Sequence, residues 1–263
     1  MADEVLYTLD GRGVATLTLN RPETLNAFDA AQIAAFNEAI ARAVASPGLR
    51  VIVVAGAGPV FCSGADIRYL QWAGSLSPDD NLADGRTYAA MAEGLRDAPV
   101  PVVVRVQGGA YGGGLAIAAA CDIVLASEAA RFAITEARHG FTPSLMVPFL
   151  IGRIGQRGCR RWCLTGEDMS AAEARRIGLA DMVVPDDALD DSLSTLVDGL
   201  LMNSPGGLAE SKASIGENAR PVLTREMHER ALAAFVAGRA SEQAAEGAAA
   251  FLAKRPPAWA KGG

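Results

Sequence analysis

Residues 101–126 read PVVVRVQGGAYGGGLAIAAACDIVLA, and this stretch decides the fold class. The β-branched, almost wholly apolar run at 101–106 is typical of a strand that is buried on both faces. A glycine-rich turn and a short alanine-rich segment follow, and the run CDIVLA at 121–126 predicts the next strand. A strand, a glycine turn and a second buried strand in such close succession indicate an α/β fold.

The same strand pattern recurs on both sides of this stretch. Residues 14–19 (VATLTL) alternate with a period of two, residues 50–55 (RVIVVA) form another β-branched run, and residues 131–134 predict a short strand. Between the first two strands, Asp29 precedes Gln32 at the spacing of a helix capping box. A helix is expected to follow, because apolar residues recur there at helical intervals: Ile33, Phe36, Ile40 and Val44.

The second half of the chain is predominantly helical in pattern. From about residue 144 the β-branched runs become scarce, and the capping box at Ser170 with Gly178 beyond it predicts a short helix. Four further helices are expected at 187–201, 205–215, 224–237 and 241–253. Because no long linker separates the halves, we expect one functional unit with a core at 1–200 and a helical C-terminal region at 201–263.

Composition and charge exclude several classes of protein. The 263 residues include 24 basic and 30 acidic side chains, so the net charge of −6 argues against nucleic-acid binding. No segment has the roughly 20 apolar residues of a membrane span, and the acidic start (MADE) is unlike a secretory signal. Four cysteines and two histidines without a CxxC pair argue against a disulfide framework and against a metal site. We therefore expect a cytoplasmic protein.

Two glycine-rich turns, at 58–67 and 108–116, each follow a predicted buried strand. Each turn should deliver backbone N–H groups at the start of a helix, where the first amides lack partners and the helix dipole is positive. Two such ends that converge would stabilise an oxyanion, whereas each turn alone is equally consistent with tight packing of a helix on a strand. A dinucleotide site and a phosphate-binding loop are disfavoured, because neither glycine pattern is present.

The chain resembles the crotonase (enoyl-CoA hydratase/isomerase) superfamily. The resemblance is carried by LNRPETLNA at 19–27, FCSGADI at 61–67, GGGLAIAAACDI at 112–123, FAITE at 132–136, LTGEDMSAAEA at 164–174 and FLAKRP at 251–256. These motifs occur in the family's order over nearly the whole chain. The resemblance implies a ClpP-like spiral of ββα repeats, followed by a helical C-terminal region that drives trimer formation.

The resemblance also implies a site for acyl-CoA. The amides of Ala65 and Gly113 fall where the family stabilises a thioester enolate. Other residues fall where the family contacts the CoA moiety, mostly through backbone atoms: Glu23, Leu25, Ser63, Asp66, Ile67 and, near a CoA phosphate, Lys254. Lys254 is equally consistent with a solvated helix end. No metal and no cofactor beyond the CoA of the substrate is implied, and the expected assembly is a homotrimer or a dimer of trimers.

The catalytic carboxylates depart from the two-glutamate pattern of family hydratases. Ala116 occupies the position of the first glutamate, whereas Glu136 is present at the second. Taken alone, Glu136 is also consistent with an acid at a helix N-terminus, which the helix dipole favours. One base suffices to move a proton between two carbons, so Ala116 favours double-bond isomerisation over hydration. Tyr69, Trp72 and Tyr88 follow the first glycine turn, in a stretch that shapes the acyl pocket in the family, although packing roles are equally consistent.

The segment EARHGFTPSLMVPF at 136–149 favours hydration instead. It is similar to the branch of methylglutaconyl-CoA and isohexenylglutaconyl-CoA hydratases, whose members need not carry the first glutamate. Arg138 lies two residues beyond Glu136 and could clamp the second carboxylate of such a substrate, or form an ion pair on the surface. The sequence therefore predicts a hydratase for a branched or substituted 2-enoyl-CoA. A Δ3,Δ2-enoyl-CoA isomerase and a non-catalytic acyl-CoA-binding protein remain as alternatives.

Overall fold

The β-branched runs of the chain form the strands of two sheets. The structure is a computed structural model that describes residues 3–218 and 225–259. Its strands are β1 (Val5–Leu9), β2 (Val14–Leu19), β3 (Val51–Gly56), β4 (Val102–Val106), β5 (Gly109–Tyr111), β6 (Ile123–Ser127), β7 (Arg131–Ala133), β8 (Met169–Ser170) and β9 (Met182–Val184).

The helices lie between and beyond these strands. They are α1 (Ala30–Val44), α2 (Ile67–Gly74), α3 (Pro78–Arg96), α4 (Gly113–Ala120), α5 (Val147–Thr165), α6 (Ala171–Arg176), α7 (Leu189–Leu201), α8 (Pro205–Asn218), α9 (Arg225–Arg239) and α10 (Glu242–Leu252). Short 3₁₀ turns occupy Pro22–Thr24, Glu136–His139 and Asp186–Ala188.

The larger sheet has the strand order β1-β2-β3-β4-β6-β9. Only β1 is antiparallel to its neighbour, and β2, β3, β4, β6 and β9 run parallel. The smaller sheet has the order β5-β7-β8, in which β5 and β7 are parallel and β8 is antiparallel. Parallel neighbours place the ends of β3 and β4 at the same edge of the larger sheet, so the two glycine-rich turns leave the sheet together.

Both faces of the larger sheet are buried. Along β2 and β3, Leu17, Ile52 and Val54 point into the main core, which also contains α1 and α3, whereas Val51 and Val53 pack with Val197 of α7. The side-chain period of two therefore divides each strand between two apolar layers. This arrangement explains why the β-branched runs at 50–55 and 101–106 carry almost no polar residue.

The predicted helix starts are confirmed by their caps. The Asp29 carboxylate accepts a hydrogen bond from the Gln32 amide at the start of α1, and the Ser170 hydroxyl accepts one from the Glu173 amide at the start of α6. The apolar stripe of α1 is shorter than predicted, because Val44 is 42% exposed at the helix end.

Four strands were not predicted, because they lack the long β-branched run of the others. These are the edge strand β1, whose side chains are mostly exposed, the strand β5 within the second glycine-rich turn, and the short strands β8 and β9 in the second half. The helix predicted from residue 224 begins at Arg225 in the structure, and residue 224 itself lies outside the described residues.

The last two helices pack on the first half of the chain. Gly74 of α2 lies so close to the Arg239 carbonyl of α9 that any Cβ would overlap it. Gly247 of α10 approaches the His139 carbonyl equally closely, and the Phe251 ring meets the His139 ring edge-on at 5.2 Å. In the described ranges, no helix is long and apolar enough to cross a membrane.

Candidate active site

The first glycine-rich turn leads from β3 into α2 and exposes one backbone amide. Phe28 clamps the turn on both sides, because its N–H donates to the Gly64 carbonyl (2.8 Å) and its carbonyl accepts from the Asp66 amide (2.9 Å). These bonds leave the intervening Ala65 N–H directed away from Phe28, and within residues 3–218 and 225–259 it donates no hydrogen bond. The turn requires glycine at position 64, where φ is +96°.

The second turn begins α4 and exposes another amide. Gly112 has φ +47°, and its N–H donates to the Ala133 carbonyl (3.0 Å), which ties the turn to β7. Gly113 is the first residue of α4, so its N–H has no partner inside the helix. No other described group accepts from it. The positive end of the α4 dipole adds to the attraction of this amide for an anion.

The two turns lie against each other. The Cys62 amide donates to the Gly109 carbonyl, and the Tyr111 amide donates back to the Cys62 carbonyl at 3.0 Å. A Cβ built on Gly64 would lie 3.4 Å from the Gly113 nitrogen. The unpaired amides of Ala65 and Gly113 therefore belong to one small region, which is the geometry that two converging oxyanion donors require.

Glu136 approaches the same region from the 3₁₀ turn that follows β7. A Cβ built on Gly112 would lie 2.7 Å from Glu136 Oε1, so the carboxylate lies directly over the start of α4. Glu136 Oε2 is buried without a hydrogen-bond partner among the described groups. Burial raises the pKa of Glu136 to about 7, because desolvation penalises the carboxylate more than the bond from its own amide stabilises it. Such a group exchanges protons readily near neutral pH.

The elevated pKa of Glu136 makes a prediction about stability. Folding raises this pKa from 4.5 to about 7, so the native state holds the proton more tightly and stability falls as the pH rises through this window. The loss should approach about 3 kcal/mol and should be absent from Glu136→Gln. Urea unfolding of the wild type and of Glu136→Gln at pH 5 and pH 8 measures how much unfolding free energy each protein loses. All other titrating groups contribute equally to both proteins, so the difference between the two losses belongs to Glu136. Equal pH dependence in the two proteins would contradict the buried carboxylate.

The remaining predicted CoA contacts form a second group beside the first turn. The Ser63 amide donates to the Leu25 carbonyl (2.9 Å), which joins the turn containing Glu23 and Leu25 to the loop before α2. Asp66 caps α2 by accepting from the Arg68 amide, and Ile67 is the first residue of that helix. The structure therefore brings these five residues close to Ala65.

Within the described residues, Arg138 and Lys254 form no hydrogen bond or ion pair with this group, and both are exposed. The Arg138 side chain extends along Gly166 at the end of α5, where a Cβ would lie 2.9 Å from its Nε. Lys254 follows α10 with φ +52°, one turn beyond the Phe251 that contacts His139. Their contacts with substrate stay predictions.

Asn26 is a structural residue of the site that the sequence reasoning did not assign. Its buried amide group donates to the carbonyls of Ala57, Val60 and Phe61 at 2.9–3.0 Å, and its Oδ1 accepts from the Arg21 amide. These bonds hold the first turn in place. The sequence shows only an asparagine between two apolar residues. Its backbone angle of φ +57°, which asparagine tolerates better than most residues, is visible only in the structure.

Comparison with known proteins agrees with this geometry. The profile of the family described as "Enoyl-CoA hydratase/isomerase" matches residues 10–262. The 1,2-epoxyphenylacetyl-CoA isomerase of Escherichia coli (strain K12) is 32% identical over 249 residues, which cover 94% of each chain.

Two solved structures are similar over almost their whole length. An enoyl-CoA hydratase from Mycobacterium avium has a TM-score of 0.85 at 34% identity, covering 98% of this chain and 100% of that one. An enoyl-CoA hydratase/isomerase from Xanthobacter autotrophicus Py2 has a TM-score of 0.85 at 29% identity, covering 95% and 93%. With its paired amides and its buried glutamate, this chain belongs to the enoyl-CoA hydratase/isomerase (crotonase) family of enzymes.

Proposed function

We propose that the protein adds water reversibly to a branched or substituted 2-enoyl-CoA, through a thioester enolate and with Glu136 as the single acid/base. The observation that carries the proposal is the convergence of two unpaired amides, Ala65 N–H and Gly113 N–H, beside a carboxylate that has no hydrogen-bond partner of its own. An enolate oxygen would accept hydrogen bonds from both amides. These bonds strengthen as negative charge develops on the oxygen.

The reaction needs only one carboxylate if that group serves twice. Ionised Glu136 accepts a proton from water as the water oxygen bonds to Cβ, and the electron pair of the double bond moves toward the thioester. The resulting enolate is held by the two amides. The protonated Glu136 then donates its proton to Cα, which regenerates the carboxylate. A pKa of about 7 suits both steps, because neither protonation state is strongly favoured at neutral pH.

Isomerisation of a 3-enoyl-CoA to a 2-enoyl-CoA is the second candidate. Ala116 presents only a methyl group where a second carboxylate could otherwise position water. Glu136 would then remove a proton from Cα and return it to Cγ, with the same enolate between. The E. coli relative is an isomerase by name, although its substrate is an epoxide.

Mass spectrometry of products formed in water enriched in oxygen-18 separates these reactions. The panel contains straight, branched and carboxylated thioesters of both 2-enoyl and 3-enoyl type. A labelled adduct supports the hydratase, whereas an unchanged mass with a shifted double bond supports the isomerase. Binding without turnover on the whole panel would contradict both and support an acyl-CoA-binding protein.

CoA is expected to lie beside the first turn, along Leu25, Ser63, Asp66 and Ile67, with Glu23 at the edge. Two observations support this position: the Leu25 side chain is exposed, and the Ser63 amide donates a hydrogen bond to the Leu25 carbonyl. Lys254 would approach a phosphate of CoA from the end of α10. No cofactor beyond the CoA of the substrate enters these steps.

Arg138 is proposed to select substrates that carry a second carboxylate. The guanidinium is exposed and forms no salt bridge with another described residue, so it is available to a ligand. Arg138→Ala should lower kcat/KM about 10- to 100-fold for a carboxylated enoyl-CoA, because a charge-assisted bidentate contact is lost. Uncharged enoyl-CoA should be converted as before. Steady-state kinetics with both substrates check this, and Arg157→Ala, at another exposed arginine, is the control. An equal loss on both substrates would contradict the role of Arg138.

The branch and the assembly are parts of the same proposal. We expect the methylglutaconyl-CoA hydratase-like branch, a cytoplasmic location, and a homotrimer or a dimer of trimers. Leu164, Met202 and Ile215 are 76%, 88% and 71% exposed in the single chain, and subunit contacts would cover such side chains. Sedimentation equilibrium distinguishes monomer, trimer and hexamer.

A further inference from the structure

The hydroxyl of Tyr88 lies against the first residue of α4. A Cβ built on Gly113 would overlap Tyr88 Oη and would lie 3.1 Å from Cζ. Tyr88 belongs to α3, so its side chain reaches the start of α4 from a different element than Glu136, which follows β7. Glu136 Oε1 and Tyr88 Oη therefore approach two consecutive glycines, Gly112 and Gly113, at the predicted oxyanion site.

Aromatic packing fixes the direction of this hydroxyl. The Tyr88 ring stacks on Tyr69 with centroids 6.4 Å apart and an interplanar angle of 12°. Phe28 meets it edge-on at 6.3 Å, and Phe235 of α9 lies at 5.4 Å. A ring held on three sides has little freedom to turn its hydroxyl elsewhere.

The hydroxyl has no hydrogen-bond partner among the described residues, and its oxygen is not one of their fully buried unpaired atoms, so it is accessible although the ring is packed. Its neighbour Tyr69 differs, because Tyr69 Oη donates to the Asp84 carboxylate at 2.7 Å. A hydroxyl that is accessible and unpaired beside the first residue of α4, on a ring that cannot turn away, points to a ligand atom as its partner. Burial raises the pKa of Tyr88 well above its ordinary value, and the phenol therefore keeps its proton.

We propose that Tyr88 is a catalytic residue that donates a third hydrogen bond to the thioester oxygen, alongside the amides of Ala65 and Gly113. The inference rests on the proposed enolate chemistry and adds to it. A neutral phenol stabilises the developing oxyanion without adding charge to the ground state. It also explains why position 113 must lack a Cβ, since any side chain there would displace the hydroxyl.

Tyr88→Phe tests the proposal, because it removes only the hydroxyl from a packed ring. Two rates are measured: hydration of an enoyl-CoA, and exchange of the Cα protons of a saturated acyl-CoA in deuterated water. The exchange forms the enolate without adding water. Both rates should fall about 10- to 100-fold, as expected for loss of one oxyanion donor beside two remaining ones. Tyr7→Phe is the matched control, because Tyr7 Oη bonds to Ser46 Oγ at 3.0 Å and touches none of the residues placed in the site.

The outcomes separate this inference from the proposed function. Unchanged exchange and hydration in Tyr88→Phe, with an active wild type, would overturn the role of Tyr88 alone. Loss of hydration with normal exchange would also overturn it, since Tyr88 would then orient water. If the wild type is inert in both assays, the proposed function fails. The ultraviolet enolate band of bound acetoacetyl-CoA then still tests Tyr88, because a weaker band in Tyr88→Phe supports the donor and an equal band rejects it.

Discussion

Glu136→Gln is expected to lower turnover at least about 10³-fold while leaving the affinity for acyl-CoA almost unchanged. General acid–base catalysis typically contributes 10²- to 10⁴-fold, and in the proposed mechanism one carboxylate performs both proton transfers. Ala116 offers no polar group that could substitute for it. Glutamine has almost the same shape and fills the same space over Gly112, so the proposed CoA contacts near Ser63 and Asp66 should persist.

Steady-state kinetics and calorimetric binding of a saturated acyl-CoA test this expectation together. Glu128→Gln is the matched control, because Glu128 is an exposed carboxylate in the turn that follows β6. Hydration, isomerisation and Cα exchange should all fall in Glu136→Gln, since each begins or ends with the same proton. Retained turnover would refute Glu136 as the acid/base, and loss of binding would mean that its role is structural.

The main sheet could be predicted from sequence because its strands are buried on both faces. Valine and isoleucine then fill nearly every position, as at 51–54 and 102–104, and the pattern is unmistakable. The caps at Asp29 and Ser170 are local interactions over three residues, which sequence spacing alone specifies. The exposed edge strand β1 lacks both kinds of signal.

The amide pair could be anticipated only through the family resemblance. Glycine-rich turns are common, and no residue pattern within 58–67 or 108–116 predicts that the two turns contact each other. Their meeting depends on parallel pairing of β3 with β4 and on the bridge between Cys62 and Ala110. The Tyr88 hydroxyl is a similar case, because its position over Gly113 is set by three aromatic rings from different parts of the chain.

The contact between α3 and α9 was the least predictable feature. Arg239 and Asp84 are 155 residues apart, and a lone arginine at the end of an amphipathic helix predicts a solvated side chain. In the structure the Arg239 side chain is fully buried, donates to Asp84 Oδ2 at 2.6 Å, and also donates to the Asn81 carbonyl and side chain. Asp84 in turn accepts from Tyr69, which stacks on Tyr88.

Arg239→Met should therefore cost about 3–5 kcal/mol in the free energy of unfolding, because it leaves the Asp84 carboxylate, which is only 16% exposed, without its cation. Arg86→Met is the matched control, since the Arg86–Glu229 pair joins the same two helices with its side chains 55% and 49% exposed. That change should cost less than about 1 kcal/mol. Urea unfolding at fixed protein concentration measures both.

A double variant decides whether the cost comes from the unpaired charge or from lost packing. Adding Asp84→Asn to Arg239→Met removes the stranded carboxylate, so the double variant should be more stable than the single one. A loss in Arg239→Met no larger than that of the exposed control would mean that α9 is held on α3 by its apolar contacts alone. In that case the Arg239–Asp84 ion pair would contribute to the specificity of docking rather than to stability.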